Sequence, residues 1–138
     1  MENSTLSPAS ITQKVIALNT TMKEVCQKLL LENLDKSFGE KLEKKLAQIN
    51  QFTDQLMNEL SNYGDAVSSQ INRDEDYEVM ANAMMNSDNH DNSEVIKTDY
   101  EKLTGKLRDI YTNILSDKNE LPASLRNILE SQLAKIGE

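Results

Sequence analysis

Breakers of regular structure are scarce in this chain: four glycines, two prolines and no tryptophan in 138 residues. That scarcity favours long helices, because glycine and proline are the residues that most disfavour a helix interior. Cysteine is scarcer still. Cys26 stands alone, so an internal disulfide is excluded. Histidine is equally rare: His90 lies far along the chain in a polar stretch, so the thiol has no neighbouring base in sequence. Beside Met22 and Val25, Cys26 reads as a small buried hydrophobe. An excess of positive charge is missing as well. Fifteen Lys and Arg face 23 Asp and Glu, a formal net charge of -8. A nucleic-acid binder would carry a basic patch. The densest basic stretch, "KLEKKL" at 41–46, alternates with Glu and apolar residues and reads as a solvated helix face.

Long apolar runs are also absent. No stretch approaches the roughly 18 apolar residues that span a bilayer. The opening "MENSTLSPAS" is polar and has no apolar core of a secretory signal. The expected location is the cytoplasm. No glycine-rich phosphate loop, Ser/His/Asp set or Cys-x-x-Cys pair is present. The reading is of a protein that is not an enzyme, with no catalytic, cofactor-binding or metal-binding residues and no cofactor.

What the chain does have is helical periodicity. Its length suits one domain, a single helical bundle over 1–138 with 1–7 flexible. Ile11, Val15, Leu18, Met22, Val25 and Leu29 recur at spacings of 4, 3, 4, 3 and 4. That is one apolar stripe on a helix over roughly 8–34, started at Ser7-Pro8 or Ser10 and widened by Leu30 and Leu34. Ser37 and Glu40 form a capping box for a second helix over roughly 38–63. It carries Leu42, Leu46, Ile49, Phe52, Leu56, Leu60 and Tyr63, and Gly64 can stop it. The short link predicts antiparallel neighbours.

Residues 64–93 form a crossover with a short helix at roughly 74–86. Asp74, Glu75 and Asp76 suit its start, and Tyr77, Met80, Ala81 and Met84 its inner face. "NSDNHDNSE" then reads as a polar loop. Its resemblance to a calcium loop is faint, because His90 and Ser93 stand where an oxygen ligand and glycine are needed. The Met80, Met84 and Met85 cluster reads first as core and second as an adaptable binding surface.

Ile96, Tyr100, Leu103, Leu107, Ile110 and Ile114 repeat the stripe over 93–116, with Asp91 and Glu94 at its start. After "SDKNE", Pro122 takes the first position of a last helix over 122–136, which Gly137 ends. Its stripe is Leu125, Ile128, Leu129, Gln132, Leu133 and Ile136. The expected fold is therefore all-α: an antiparallel four-helix bundle whose fourth wall is the last helix, with the short helix filling a flank or an end.

The closing segment resembles the C-terminal part of a bacterial ferritin-like four-helix-bundle family of unknown function. The likeness rests on Tyr111, Leu115, Leu121, Pro122, Leu125, Arg126, Leu129, Glu130, Gln132, Leu133 and Ile136. Gln48, Phe52 and Leu56 resemble the middle of that family's second helix, and Leu18 with Asn19 its opening helix. A ferritin-like fold raises the question of a di-iron centre, which needs inward Glu residues and Glu-x-x-His pairs. The chain has no Glu-x-x-His, and Gln48, Gln51 and Asp54 stand in the second helix. Glu24 and Glu101 could turn inward, and with His90 they are the candidates for weak metal contact, but two carboxylates do not make a cage.

The resemblance thus implies a ferritin-like bundle lacking the di-iron ligands. Its expected role is non-enzymatic, through protein partners or self-association as a homodimer, without nucleic acid or membrane, and with a loose link to stress physiology. The alternative is a divergent metal-binding or metal-storage protein using carboxylates. A helical secretion or coat-type chaperone with an apolar groove is a further reading.

Overall fold

The computed structural model describes residues 7–32, 35–63, 74–86, 93–116 and 121–136. Five helices account for nearly all of them: α1 Pro8–Leu30, α2 Lys36–Ser61, α3 Glu75–Met85, α4 Ser93–Ser116 and α5 Ala123–Ile136. There is no strand among the described residues. The chain is an all-α bundle. No described helix is long and apolar enough to cross a membrane.

Local chemistry sets the helix starts. Ser7 caps α1 by accepting from the Ser10 N–H, with Pro8 in the first turn where its missing N–H is not needed. α2 departs from expectation. Its cap is Asp35, whose Oδ1 accepts from the Phe38 N–H at 2.7 Å, so the helix begins two residues before the predicted Ser37–Glu40 box. Aspartate, in extended backbone just outside the helix, is as good a cap as serine and adds its charge to the positive helix end. Asp74 does the same for α3 through the Tyr77 N–H at 3.0 Å. α1 ends at Leu30 rather than residue 34, and Leu31 is 80% exposed. α5 begins at Ala123, one residue after the expected start. Pro122 precedes it, and the Pro122 carbonyl accepts from the Arg126 N–H. The expectations placed on Leu34, Gly64, Asp91 and Gly137, and on the 88–92 loop with His90, lie outside the described residues.

The stripes read from α1 and α4 are the core. Ile11, Val15, Leu18, Met22, Val25 and Leu29 are buried, and so are Ile96, Tyr100, Leu103, Leu107, Ile110 and Ile114. α2 adds Phe38, Leu42, Ile49, Phe52 and Leu56, while Leu46 and Leu60 are only half-buried. The helices close as a ring. α1 packs along α2, α2 along α5, α5 along α4, and α3 against both α4 and α1. α1 and α4 touch each other less, and α3 covers that flank rather than an end. α5 takes the wall between α2 and α4 with Leu125, Leu129 and Ile136, each at most 1% exposed.

Candidate functional site

Buried polar side chains from α1, α4 and α5 meet in the middle of the bundle and tie to α2. Asn19 on α1 donates through Nδ2 to the Tyr111 hydroxyl at 3.0 Å and to the Val15 carbonyl at 2.9 Å. Tyr111 on α4 donates in turn to Gln132 Oε1 on α5 at 2.6 Å. Gln132 Nε2 donates to the Phe52 carbonyl at 3.2 Å and to Gln55 Oε1 at 3.0 Å, both on α2. Asn19, Tyr111 and Gln132 are at most 1% exposed. Both hydrogens of each buried amide are used, and the phenol accepts one bond and donates one. A buried polar group is costly unless bonded, and this chain of bonds meets that requirement across four helices at once.

Two further tyrosines flank this centre. Tyr77 of α3 donates to the Leu18 carbonyl at 3.1 Å. Tyr100 lies beside the Cys26 thiol and the Thr104 hydroxyl. Neither the Tyr100 nor the Thr104 hydroxyl reaches hydrogen-bond geometry with any described group. Burial pushes the Cys26 thiol up to about 12, against smaller downward pulls from the Lys45 charge and the Tyr100 hydroxyl. Burial likewise raises the Tyr77, Tyr100 and Tyr111 phenols well above their ordinary value. At neutral pH the interior therefore holds a thiol and three phenols, all protonated. A protonated, inaccessible thiol is a poor nucleophile and a poor ligand, as expected of a small buried hydrophobe at Cys26.

The carboxylates lie elsewhere. Glu24 and Glu101, expected as inward candidates, are both exposed, as are Gln51 and Asp54. Helical phase explains it: Glu24 falls between the buried Met22 and Val25, and Glu101 follows the buried Tyr100. Gln48 is half-buried at the end of α5, donating to the Lys135 carbonyl at 3.1 Å. No group of three or more His, Cys, Asp or Glu able to hold a metal ion occurs among the described residues. A di-iron cage needs ionised carboxylates and imidazoles. The centre offers two amides and a neutral phenol, so the residues present do not fit that group.

Among the described residues two charged side chains are buried, and sequence reasoning missed both. Lys45, read as part of a solvated face, is 6% exposed. Its Nζ donates to the Ile136 carbonyl at 2.8 Å and to Gln48 Oε1 at 2.9 Å. Glu59 is 4% exposed. It accepts from the Ser124 hydroxyl at 2.7 Å and the Tyr63 hydroxyl at 2.5 Å. The cation thus sits at the C-terminal, electronegative end of α5 and the anion at its N-terminal, electropositive end, which is the arrangement the helix dipole favours. The periodicity of α2 hinted at this, since both residues fall on its apolar side, but their partners lie 91 and 65 residues away in sequence.

No family model, curated protein or solved structure matches the chain.

Proposed function

We propose that the protein is a ferritin-like, antiparallel four-helix bundle without a metal centre, working through contacts with protein, including copies of itself, rather than by catalysis. The observation that carries this reading is the node Asn19–Tyr111–Gln132–Gln55. α1, α4 and α5 each commit a buried polar position to neutral hydrogen bonds, and α2 contributes the Phe52 carbonyl and the exposed Gln55, where a ferritin-like metalloprotein commits carboxylates. The proposed topology is supported by the way helix ends meet. Ser124 at the start of α5 reaches Glu59 near the end of α2, and Lys45 near the start of α2 reaches Ile136 at the end of α5. The Lys97–Asp35 pair sets the start of α4 beside the start of α2, which supports the proposed crossover topology. The resemblance read from Tyr111, Pro122, Leu129 and Gln132 agrees with it. A cytoplasmic location and a part in stress physiology belong to the same proposal.

The test is metal chemistry. Protein purified without chelator should carry well under about one iron per chain, because amides and neutral phenols bind ferrous ion weakly. Added ferrous iron should oxidise no faster than in buffer. Stoichiometric iron or a ferroxidase rate would overturn the reading in favour of carboxylate-based metal storage.

A further inference from the structure

α2 and α4 stand across the ring from each other, with α5 packed against both. At one end of the bundle, side chains bridge that diagonal. Asp35, the cap of α2, accepts from the Phe38 N–H through Oδ1 at 2.7 Å and from the Lys97 ammonium of α4 through Oδ2. One carboxylate thus starts one helix and holds another. Lys97 Nζ lies 5.9 Å from the centre of the Phe38 ring. That ring in turn meets Tyr100 of α4 edge-on, with centroids 5.6 Å apart and planes at 84°. The four residues close on themselves. Asp35 and Phe38 are one turn apart at the start of α2, Lys97 and Tyr100 one turn apart on α4, and each member of one pair touches the other pair.

The interior next to this clasp is unfavourable as it stands. Phe38 and Tyr100 are both buried, and Cys26 and Thr104 lie beside Tyr100. The Tyr100 and Thr104 hydroxyls are buried with no hydrogen-bond partner among the described residues. The other two phenols of the core, Tyr77 and Tyr111, are bonded. An unbonded buried hydroxyl is penalised in the closed bundle and relieved once water reaches it. This end is therefore held shut from outside by Asp35 and Lys97, against a penalty carried inside by Tyr100 and Thr104.

We propose that Asp35, Phe38, Lys97 and Tyr100 form a lid over this end of the bundle, which acid releases and whose opening admits water and small solutes to Cys26. The hydrogen bond from Lys97, and after it the bond from the Phe38 N–H, hold the Asp35 carboxyl below its ordinary 3.8. The outer tie is therefore fully present above 3.8 and is lost as pH falls through the lowered value. Lys97, held upward mainly by its hydrogen bond to Asp35, stays charged throughout. The other charged groups around the tie are Glu94, 3.8 Å from Lys97, and Glu32, Lys36, Glu40 and Glu43, which share the hollow beside Asp35. Asp35 alone joins the helix start to the ammonium, so its titration is the one that frees both.

Cys26, the one thiol of the chain, reports the opening. Its reaction with dithiodipyridine, a disulfide that reads thiols in acid as well as at neutral pH, is measured on the full chain relative to free cysteine at the same pH. Labelling should be slow at neutral pH and should rise as pH drops below 3.8 while the helical circular dichroism is retained. Asp35→Asn keeps a cap, since asparagine serves as well as aspartate, and loses the ion pair. Lys97→Gln loses the pair alone. Because the pair is partly exposed, each variant should speed labelling at neutral pH by roughly fivefold rather than by orders of magnitude. Neither should show the acid rise. Tyr100→Phe and Thr104→Val remove the unbonded hydroxyls and should slow labelling, the opposite of a loosened core. Labelling at the free-cysteine rate in neutral buffer overturns the lid, and so does a rate unchanged by both clasp variants. An acid rise that persists in those variants, or that comes only with loss of the helical signal, overturns it too. Faster labelling in Tyr100→Phe overturns the penalty assigned to the interior.

Discussion

α3 and α5 are both short helices that close a gap between longer ones, and they do so by opposite means. α5 is held along its whole length by polar ties: Glu59 at its start, Gln132 in the middle, Lys45 at its end. Each tie has a fixed direction and partner, so the position of α5 is specified. α3 is seated by its Asp74 cap, the Tyr77 hydrogen bond to α1 and the buried Ala81, and otherwise rests on half-buried methionines. Thioethers tolerate shifts that hydrogen bonds do not. One short helix is a fixed wall and the other an adaptable one.

The largest effect that tests this contrast is removal of α5. Leu125, Leu129 and Ile136 each contribute roughly 1.5–3 kcal/mol by burial, and their loss is accompanied by stranded partners on α2. Against a total stability of about 5–15 kcal/mol, a chain lacking 121–138 should bind hydrophobic dye and lose its cooperative melt. If it melts at the same temperature, α5 is an appendage and the comparison fails.

Alkali should come next. The folded-state pKa values of Cys26, Tyr77, Tyr100 and Tyr111 are raised. The native protein therefore holds protons that the unfolded chain releases first. Their contribution is fully present below the unfolded values and is lost as pH rises above them, starting for Cys26 near 9.0 and continuing to about 12. Each titrating group adds a slope of at most about 1.4 kcal/mol per pH unit. Denaturant melts on ascending pH should show that decline, with tyrosinate absorbance appearing only as the protein unfolds. Early tyrosinate in the folded protein would contradict the burial described.

Single core changes are smaller. Leu129→Ala should cost roughly 2–5 kcal/mol in chemical denaturation. Tyr111→Phe should cost roughly 1–3 kcal/mol, because it strands the buried amides of Asn19 and Gln132. Tyr77→Phe under α3 frees only a backbone carbonyl already placed within a helix, and should cost about 1 kcal/mol or less. Equal costs at the two tyrosines would erase the distinction between the two walls. Smallest is Val79→Gln on the outer face of α3, expected within about 0.5 kcal/mol.

How far the sequence disclosed this depends on what each residue answers to. The stripes of α1 and α4 were legible residue by residue, because burial there follows helical phase alone. α2 was legible in its stripe and misread at its start. Ser37 with Glu40 satisfies the capping pattern, but Asp35 lies two residues earlier and reaches the Phe38 N–H first. The run 41–46 was read by its composition, whereas Lys45 answers to the end of α5, which no local pattern encodes. Gln132 was seen at a stripe position, and its role emerged only once Tyr111 and Phe52 were brought beside it. Glu24 and Glu101 were weighed as ligands by residue type, and their helical phase sets them outside.

The docking of α5 also has a consequence in time. Its ties to Glu59, Phe52 and Lys45 join residues 65, 80 and 91 apart. A ribosome adds about 5–20 residues each second, so α2 leaves it several seconds or more before its partner exists. During that interval the face of α2 that will meet α5 is bare. Its apolar centre is bracketed by a lysine and a glutamate that stay hydrated until the last helix arrives. The two charges that later fasten the finished wall are thus expected to serve first as guards, keeping the nascent, half-built bundle from joining its neighbours on the polysome.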